Sequence, residues 1–434
     1  MRVPFDYSRP AAGDISIPVV RIPATGATRG VLVMNPGGPG ESGVQLAPVV
    51  DALLPAGVRQ HYALVSFDER GTGSARPVAC GTDPAAVTSA SPGSQSSGGR
   101  PPVTAVYAAM GAACRRRAGA LIGQVGTVDA ARDLNQLRRA LGIARLDYLG
   151  LSYGTVLGVV FASMFPAHVR AMILDGAVDP TESLTAQARD EAPAMDRSLT
   201  HLLATCRAAP VCPLGPNPSL AFGALSAALA RHPLPAPAHS PYPVTVGDLD
   251  AATFAAIALP VLAASWEAAV VAAAHGNGGP LRQLALSSEE DLNGQSLVDP
   301  QWAIACGDAA FHPSSAAVDA LASSLQAKAP PLGAEAAAVD AAGCVGWPAA
   351  NHPVSRLAVL GTPPLLVLSN QGDPVTPPVW AHRLVTHLAR STIVTWDGWG
   401  HTWLLNGSGD PCMASVVTRY LNDPGAPPAT TTCP

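Results

Sequence analysis

Two hydrophobic patterns alternate along the first part of the chain. Gly30-Val31-Leu32-Val33-Met34, Tyr62 to Phe67, Leu146 to Leu149 and Val169 to Leu174 are short, nearly continuous apolar runs. Runs of that kind belong to strands buried on both faces of a parallel sheet. Between them, Val128 to Leu141 sets Leu134, Leu137 and Leu141 against Asp129, Arg132, Asp133, Arg138 and Arg139 at helical spacing. Residues 14–24 alternate apolar and polar positions as an edge strand would, with Pro18 and Pro23 keeping it at the edge. Residues 84–104, rich in Ser, Gly and Pro, read as a mobile surface loop. From about 180 to 355 the pattern changes to alanine-rich helical segments broken by proline clusters, and strand character resumes at 364–369 and 392–396. The expected architecture is α/β: a mostly parallel sheet built from residues 1–179 and 356–434, with a helical cap inserted at 180–355.

Length and composition fit that division. A chain of 434 residues is long for one simple domain, so a core with an insertion is expected. Its net charge of −5, with no basic run, gives no electrostatic case for nucleic acid or an anionic membrane. The most apolar long window, 251–274, is interrupted by Pro260 and Glu267 and reads as cap or core helix, not a membrane span. The eight cysteines include no Cys-x-x-Cys and no pair with histidines at zinc spacing, so no metal site is expected. An even count points to disulfides and an oxidising compartment. Connectivity is open among roughly a hundred pairings. The simplest joins nearest neighbours, Cys80 with Cys114, Cys206 with Cys212, Cys306 with Cys344 and Cys412 with Cys433. No charged start followed by an apolar stretch and a small-residue cleavage site opens the chain, so a leader has been removed or the protein is cytosolic.

The chemistry concentrates in Gly150-Leu151-Ser152-Tyr153-Gly154, a Gly-x-Ser-x-Gly pattern with a strand before it and a helical run after it. That context makes a nucleophile elbow, a strained turn that exposes the serine while its glycines avoid collision. Asn35-Pro36-Gly37-Gly38-Pro39-Gly40 follows an earlier strand, and its bare backbone can approach a substrate oxygen as an oxyanion hole requires. In Asp68-Glu69-Arg70-Gly71-Thr72-Gly73-Ser74, the charges fit an internal ion pair holding a turn better than a substrate contact. Serine needs a base, and the base needs an orienting acid, in chain order Ser, Asp or Glu, His. Asp373 follows the strand at 364–369, and His401, next to Gly400, lies beyond the strand at 392–396. The weaker rivals are Asp175, at the end of the strand that follows the elbow, and Asp397, too close in sequence to His401. His275, His382 and His387 lack a strand end with flanking glycine.

Together the segments Asn35 to Gly40, Asp68 to Gly73, Gly150 to Gly154, Gly372 to Pro377 and Gly400-His401 resemble secreted actinobacterial tripeptidyl aminopeptidases, within the proline-iminopeptidase-like branch of the α/β-hydrolases. Val3-Pro4-Phe5-Asp6-Tyr7 and Trp302 to Asp308 look like the same family, so the resemblance spans nearly the whole chain. It implies Ser152 as nucleophile, His401 as base then acid, Asp373 as its orienter, and the backbone N–H groups of Gly38 and Tyr153 as oxyanion donors. It also implies a secreted or cell-envelope location and no cofactor or metal. The chain departs from the pattern at Pro36, where proline iminopeptidases commonly carry histidine, at Glu41, where a small residue is common, and at Ala75, where serine is common. Glu41 lies near the expected entrance and bears on substrate range. An exopeptidase must also hold a protonated α-amine, for which a lid carboxylate is the natural partner. Asp190, Glu191, Glu267 and Asp308 are the candidates, with Asp308 preferred because Cys306 bridged to Cys344 would hold it. The substrate is then a peptide with a free N-terminus. The alternative is a carboxylesterase or amidase acting on small hydrophobic esters or amides with the same triad, and an intact triad argues against a silent binding module. Oligomeric state is left open.

Overall fold

The computed structural model describes residues 1–91, 100–238, 240–326, 331–348, 351–354, 357–426, 428 and 430–434. Its main sheet has eight strands: β1 (Val19–Ile22), β2 (Gly30–Asn35), β3 (Tyr62–Phe67), β4 (Leu146–Leu151), β5 (Val169–Asp175), β6 (Leu365–Gly372), β7 (Ser391–Trp399) and β8 (Thr432–Cys433). They lie in the order β8-β7-β6-β5-β4-β2-β3-β1, and every neighbouring pair is parallel except β1 with β3. The continuous apolar runs have the expected cause. Along β2, Val33 packs with Val65, Tyr148 and Leu134 on one face, while Leu32 and Met34 pack with Leu64, Leu149 and Val50 on the other.

The edge strand read over 14–24 is two elements. Asp14–Ser16 pairs with Arg2–Pro4 in a separate antiparallel ribbon, and only Val19–Ile22 joins the main sheet. Pro18 stands between them without an N–H to extend either ladder, and its carbonyl accepts from Asp68 N at 3.2 Å. The loop read over 84–104 also needs correction. Pro84–Thr88 is a short helix, because Asp83 caps it by accepting from Ala85 N at 2.9 Å and Pro84 has its φ preset for the first turn. Residues 92–99 lie outside the described residues.

Helices α1 (Gly43–Leu53), α2 (Val103–Ala118), α3 (Thr127–Ala140) and α4 (Gly154–Met164) flank the sheet, and α3 buries Ala130, Leu134 and Leu137 as its periodicity predicts. Between β5 and β6 the chain forms helices, among them α5 (Leu184–Ala208), α6 (Val246–Ala258), α7 (Ala263–Ala274), α8 (Val298–Asp308) and α9 (Pro331–Ala342). The apolar window at 251–274 is broken at Pro260 into α6 and α7, and no helix among the described residues is long and apolar enough to cross a membrane. Leu199, Phe222, Leu249, Trp266 and Val270 make a local core for this segment, whereas Trp302 and Ile304 of α8 pack into the main core. Four disulfides follow the nearest-neighbour pairing, and no cysteine is free.

Candidate active site

The elbow forms where β4 ends and α4 begins. Ser152 has φ +54°, a left-handed backbone that a residue with a side chain adopts only under constraint. Its N–H donates to Asp175 O at 2.8 Å, and its carbonyl accepts from Thr155 N at 2.8 Å and Thr155 Oγ1 at 2.7 Å. A side chain at Gly154 would meet Asn35 O at 2.6 Å, and one at Gly150 would run into the Gly154 carbonyl. These collisions explain both glycines of the motif.

Asp373 follows β6 directly and is buried. Its Oδ1 accepts from Val375 N (2.9 Å) and Thr376 N (2.8 Å), and its Oδ2 from Thr376 Oγ1 (2.9 Å) and Thr402 N (3.3 Å). His401 Nδ1 lies 3.0 Å from Oδ2 and 3.1 Å from Oδ1 of the same carboxylate. With Nδ1 committed to the acid, Nε2 is the free nitrogen; it is buried and has no hydrogen-bond partner among the described residues. His401 sits beside the elbow. A Cβ on Gly176 would lie 3.1 Å from His401 Cε1, and the adjacent Asp175 carbonyl is the one that holds Ser152 N. The His401 loop is tied to the helical segment as well, since His401 N donates to Ala258 O, the last residue of α6, at 2.8 Å.

The rival acid has a different task. The Asp175 carboxylate accepts from Trp403 N and Leu404 N, both at 2.9 Å, so it anchors the helix after His401. Burial raises its pKa to about 6.

Gly37 and Gly38 have φ of +103° and +101°, which bends the loop after β2 against the elbow: a Cβ on Gly37 would sit 2.6 Å from Leu151 O and 3.0 Å from Ser152 Cβ. Asn35 secures this loop, its Oδ1 accepting from Gly37 N at 3.0 Å and its Nδ2 donating to Glu69 Oε1 at 2.5 Å. The ion pair expected around Asp68 to Ser74 forms outside the turn. Arg70 is fully buried and bidentate to Asp133 of α3 at 2.6 and 2.7 Å, with further bonds to the carbonyls of Pro4, Phe5 and Gln124. Asp68 instead accepts from Ser42 Oγ (2.6 Å), Val44 N (3.1 Å) and Ser74 N (2.8 Å).

The four carboxylates named for amine recognition separate clearly. Asp190 is paired with Arg383 and accepts from Trp380 Nε1 at 3.2 Å. Glu267 is partly exposed on α7. Asp308, the preferred one, is committed on both oxygens to Thr127, through its N–H at 2.7 Å and its Oγ1. Its distance in sequence from Thr127 hid that pairing. Glu191 differs: it is half-buried on α5, and desolvation together with the charges of Asp340, Asp190 and Asp373 raises its pKa well above the ordinary value. Asp340 and Glu289, which the sequence did not single out, join it. Burial raises Asp340 to about 6, and burial with the Asp340 charge raises Glu289 to about 7. Glu41 is similar, at about 7 from burial and the charge of Asp291, with its Cγ 3.2 Å from where a Gly38 Cβ would be. Among the described residues, no cation and no hydrogen-bond donor meets the carboxyl groups of Glu41, Glu191, Glu289 or Asp340.

Comparison with known proteins bears on the same residues. A family model described as TAP-like protein matches residues 329–433, which carry Asp373 and His401. Serine protease Hip1 of Mycobacterium tuberculosis is 32% identical over 100% of this chain and 86% of its own length. The chain belongs to the tripeptidyl-aminopeptidase-like family of α/β-hydrolases. Within the family, carboxylesterase B of M. tuberculosis is 31% identical over 99% of this chain and 85% of its own. A tripeptidyl aminopeptidase of Streptomyces lividans is 39% identical over 41% of this chain and 35% of its own. Protease and esterase relatives are thus about equally similar across the full chain.

Proposed function

We propose that this protein is a serine hydrolase that cleaves peptides near a free N-terminus. Ser152 attacks the carbonyl while His401 Nε2 takes its proton; Asp373 holds the imidazole and stabilises its positive charge. The N–H groups of Gly38 and Tyr153 receive the oxyanion, His401 protonates the leaving amine, and water releases the acyl-enzyme. One observation favours the peptidase reading over an esterase: Glu191, Asp340, Glu289 and Glu41 are half-buried carboxyls with raised pKa values that meet no cation among the described residues. Ionised carboxylates without partners are costly, and a substrate ammonium removes that cost. A neutral ester gains nothing from them. Four disulfides with no free cysteine support an extracytoplasmic location.

The test is hydrolysis of aminoacyl and tripeptidyl anilides, each with a free or acetylated N-terminus, beside a short-chain nitrophenyl ester and a Ser152→Ala control. Turnover of free-amine substrates that acetylation abolishes is expected. Turnover of the ester alone would transfer the reading to carboxylesterase and leave Ser152 in place.

A further inference from the structure

Beneath the elbow, four side chains from distant parts of the chain form a line that the hydrolytic steps do not use. Glu69 follows β3, Tyr153 lies in the elbow, Thr127 opens α3 and Asp308 ends α8. Tyr153 Oη lies 3.3 Å from Glu69 Oε2, and it also bonds Thr127 Oγ1, which in turn bonds Asp308 Oδ2. The outer oxygens are already occupied, Glu69 Oε1 by Asn35 Nδ2 and Asp308 Oδ1 by Thr127 N.

Counting protons decides what the line is. Four oxygens in a row make three contacts, and each contact needs one proton to be a hydrogen bond. The tyrosine and threonine hydroxyls supply two. With both carboxyls ionised, one contact is two lone-pair oxygens facing each other, which is repulsive. With one added proton, all three contacts are satisfied in either of two ways. The proton sits on Glu69 and the bonds run toward Asp308, or it sits on Asp308 and they run toward Glu69.

We propose that Glu69 and Asp308 share a single proton through the hydroxyls of Tyr153 and Thr127, and that this proton fastens α8 to the nucleophile elbow. Other charged groups nearby are spoken for. Asp133 is held by Arg70 and Tyr7, Asp129 by Arg132 and His352, and Tyr148 donates to Gly154 O. Burial, the largest cause for each, raises the pKa of both Glu69 and Asp308 to about 7. The shared proton is therefore retained at mildly acidic pH and lost as pH rises above neutrality. Its loss loosens α8, and it loosens the elbow that presents Tyr153 N–H. This last consequence rests on the reading of Ser152 as nucleophile; the proton count does not. Glu69 and Asp308 are positioning residues: they bond Asn35, Tyr153 and Thr127 and none of the triad side chains.

Amide substitutions mimic the protonated carboxyl without adding bulk, which gives a distinctive test. Glu69→Gln, Asp308→Asn and the double variant are melted between about pH 5 and pH 9, and Ser152 labelling by an uncharged fluorophosphonate is followed in parallel. Each single variant retains three protons for three contacts. It should melt within about 2 °C of the natural protein at acidic pH and lose the alkaline fall in melting temperature and labelling rate. The double variant has a donor at both ends and one proton too many, so it should melt below the sum of the single effects or fail to fold. Single variants that are each destabilised at acidic pH and add in the double would overturn the proposal. So would an alkaline fall that persists in both. Absence of labelling in the natural protein would count against the hydrolase reading alone, and the melting comparison would still decide the proton.

Discussion

The carboxylates in and around the sheet and those in the helical segment are treated in opposite ways: the first are fully buried and partnered, the second half-buried and unpartnered. Asp68, Asp133, Asp175 and Asp373 each meet two or more donors, and Asp133 has a bidentate arginine besides. Glu191, Glu289 and Asp340 meet none among the described residues, and the Asp340 charge helps to raise the pKa of both glutamates. Buried charge with its partners present is architecture. Half-buried acid groups without them leave room for a partner from outside, which under the proposed function is a substrate ammonium group.

Substitutions can attack this contrast from either side. The largest effect is expected where a satisfied carboxylate also serves chemistry: Asp373→Asn should lower kcat by about 10⁴-fold in a protein that still folds and melts cooperatively. Steady-state kinetics beside a thermal melt would check this, and a loss of fold instead would make Asp373 a structural acid only. Next, Arg70→Met leaves Asp133 buried without its cation. A loss of roughly 3–5 kcal/mol in denaturant titration is expected, whereas a neutral result would show the pair to be dispensable. The smallest effect belongs to Glu191→Gln, with the opposite sign for stability. A raised carboxyl pKa means that the folded state binds the proton more tightly than the unfolded chain. Stability is therefore full below the unfolded value near 4.5 and falls as pH rises through the folded one. The amide should melt higher than glutamate at neutral pH and the same at about pH 4. It should also lower kcat/KM for free-amine peptides by about tenfold and leave ester hydrolysis unchanged. Equal losses on both substrates would remove Glu191 from amine recognition.

Local sequence signals account for the parts that were legible. Continuous apolar runs marked the sheet because both faces of a parallel strand are buried, and the elbow was readable because its glycines answer to steric collisions two residues from the serine. Asp373 and His401 stood out at strand ends. The acids of the two clusters had no such signal. Asp340 lies in an alanine-rich helix, Glu69 looked like one charge in a turn, and Thr127 meets Asp308 across a long stretch of chain, so tertiary placement alone defines their roles. The short helix at Pro84 was legible in the Asp83-Pro84 cap and was hidden by the Ser, Gly and Pro content around it. Residues 14–24 kept their alternation while Pro18 divided their partners.

The bond from His401 N to Ala258 O has a practical consequence for engineering specificity. The helical segment is the natural part to exchange when a relative's preference is wanted, as if it were a detachable head on a common handle. Here the last carbonyl of α6 is also a fixing point for the histidine loop, and Asn406 Nδ2 reaches the same oxygen at 3.2 Å. A graft chosen only for its pocket would leave His401 without that tether. Chimeras should therefore be cut so that the end of α6 travels with the recipient's own histidine.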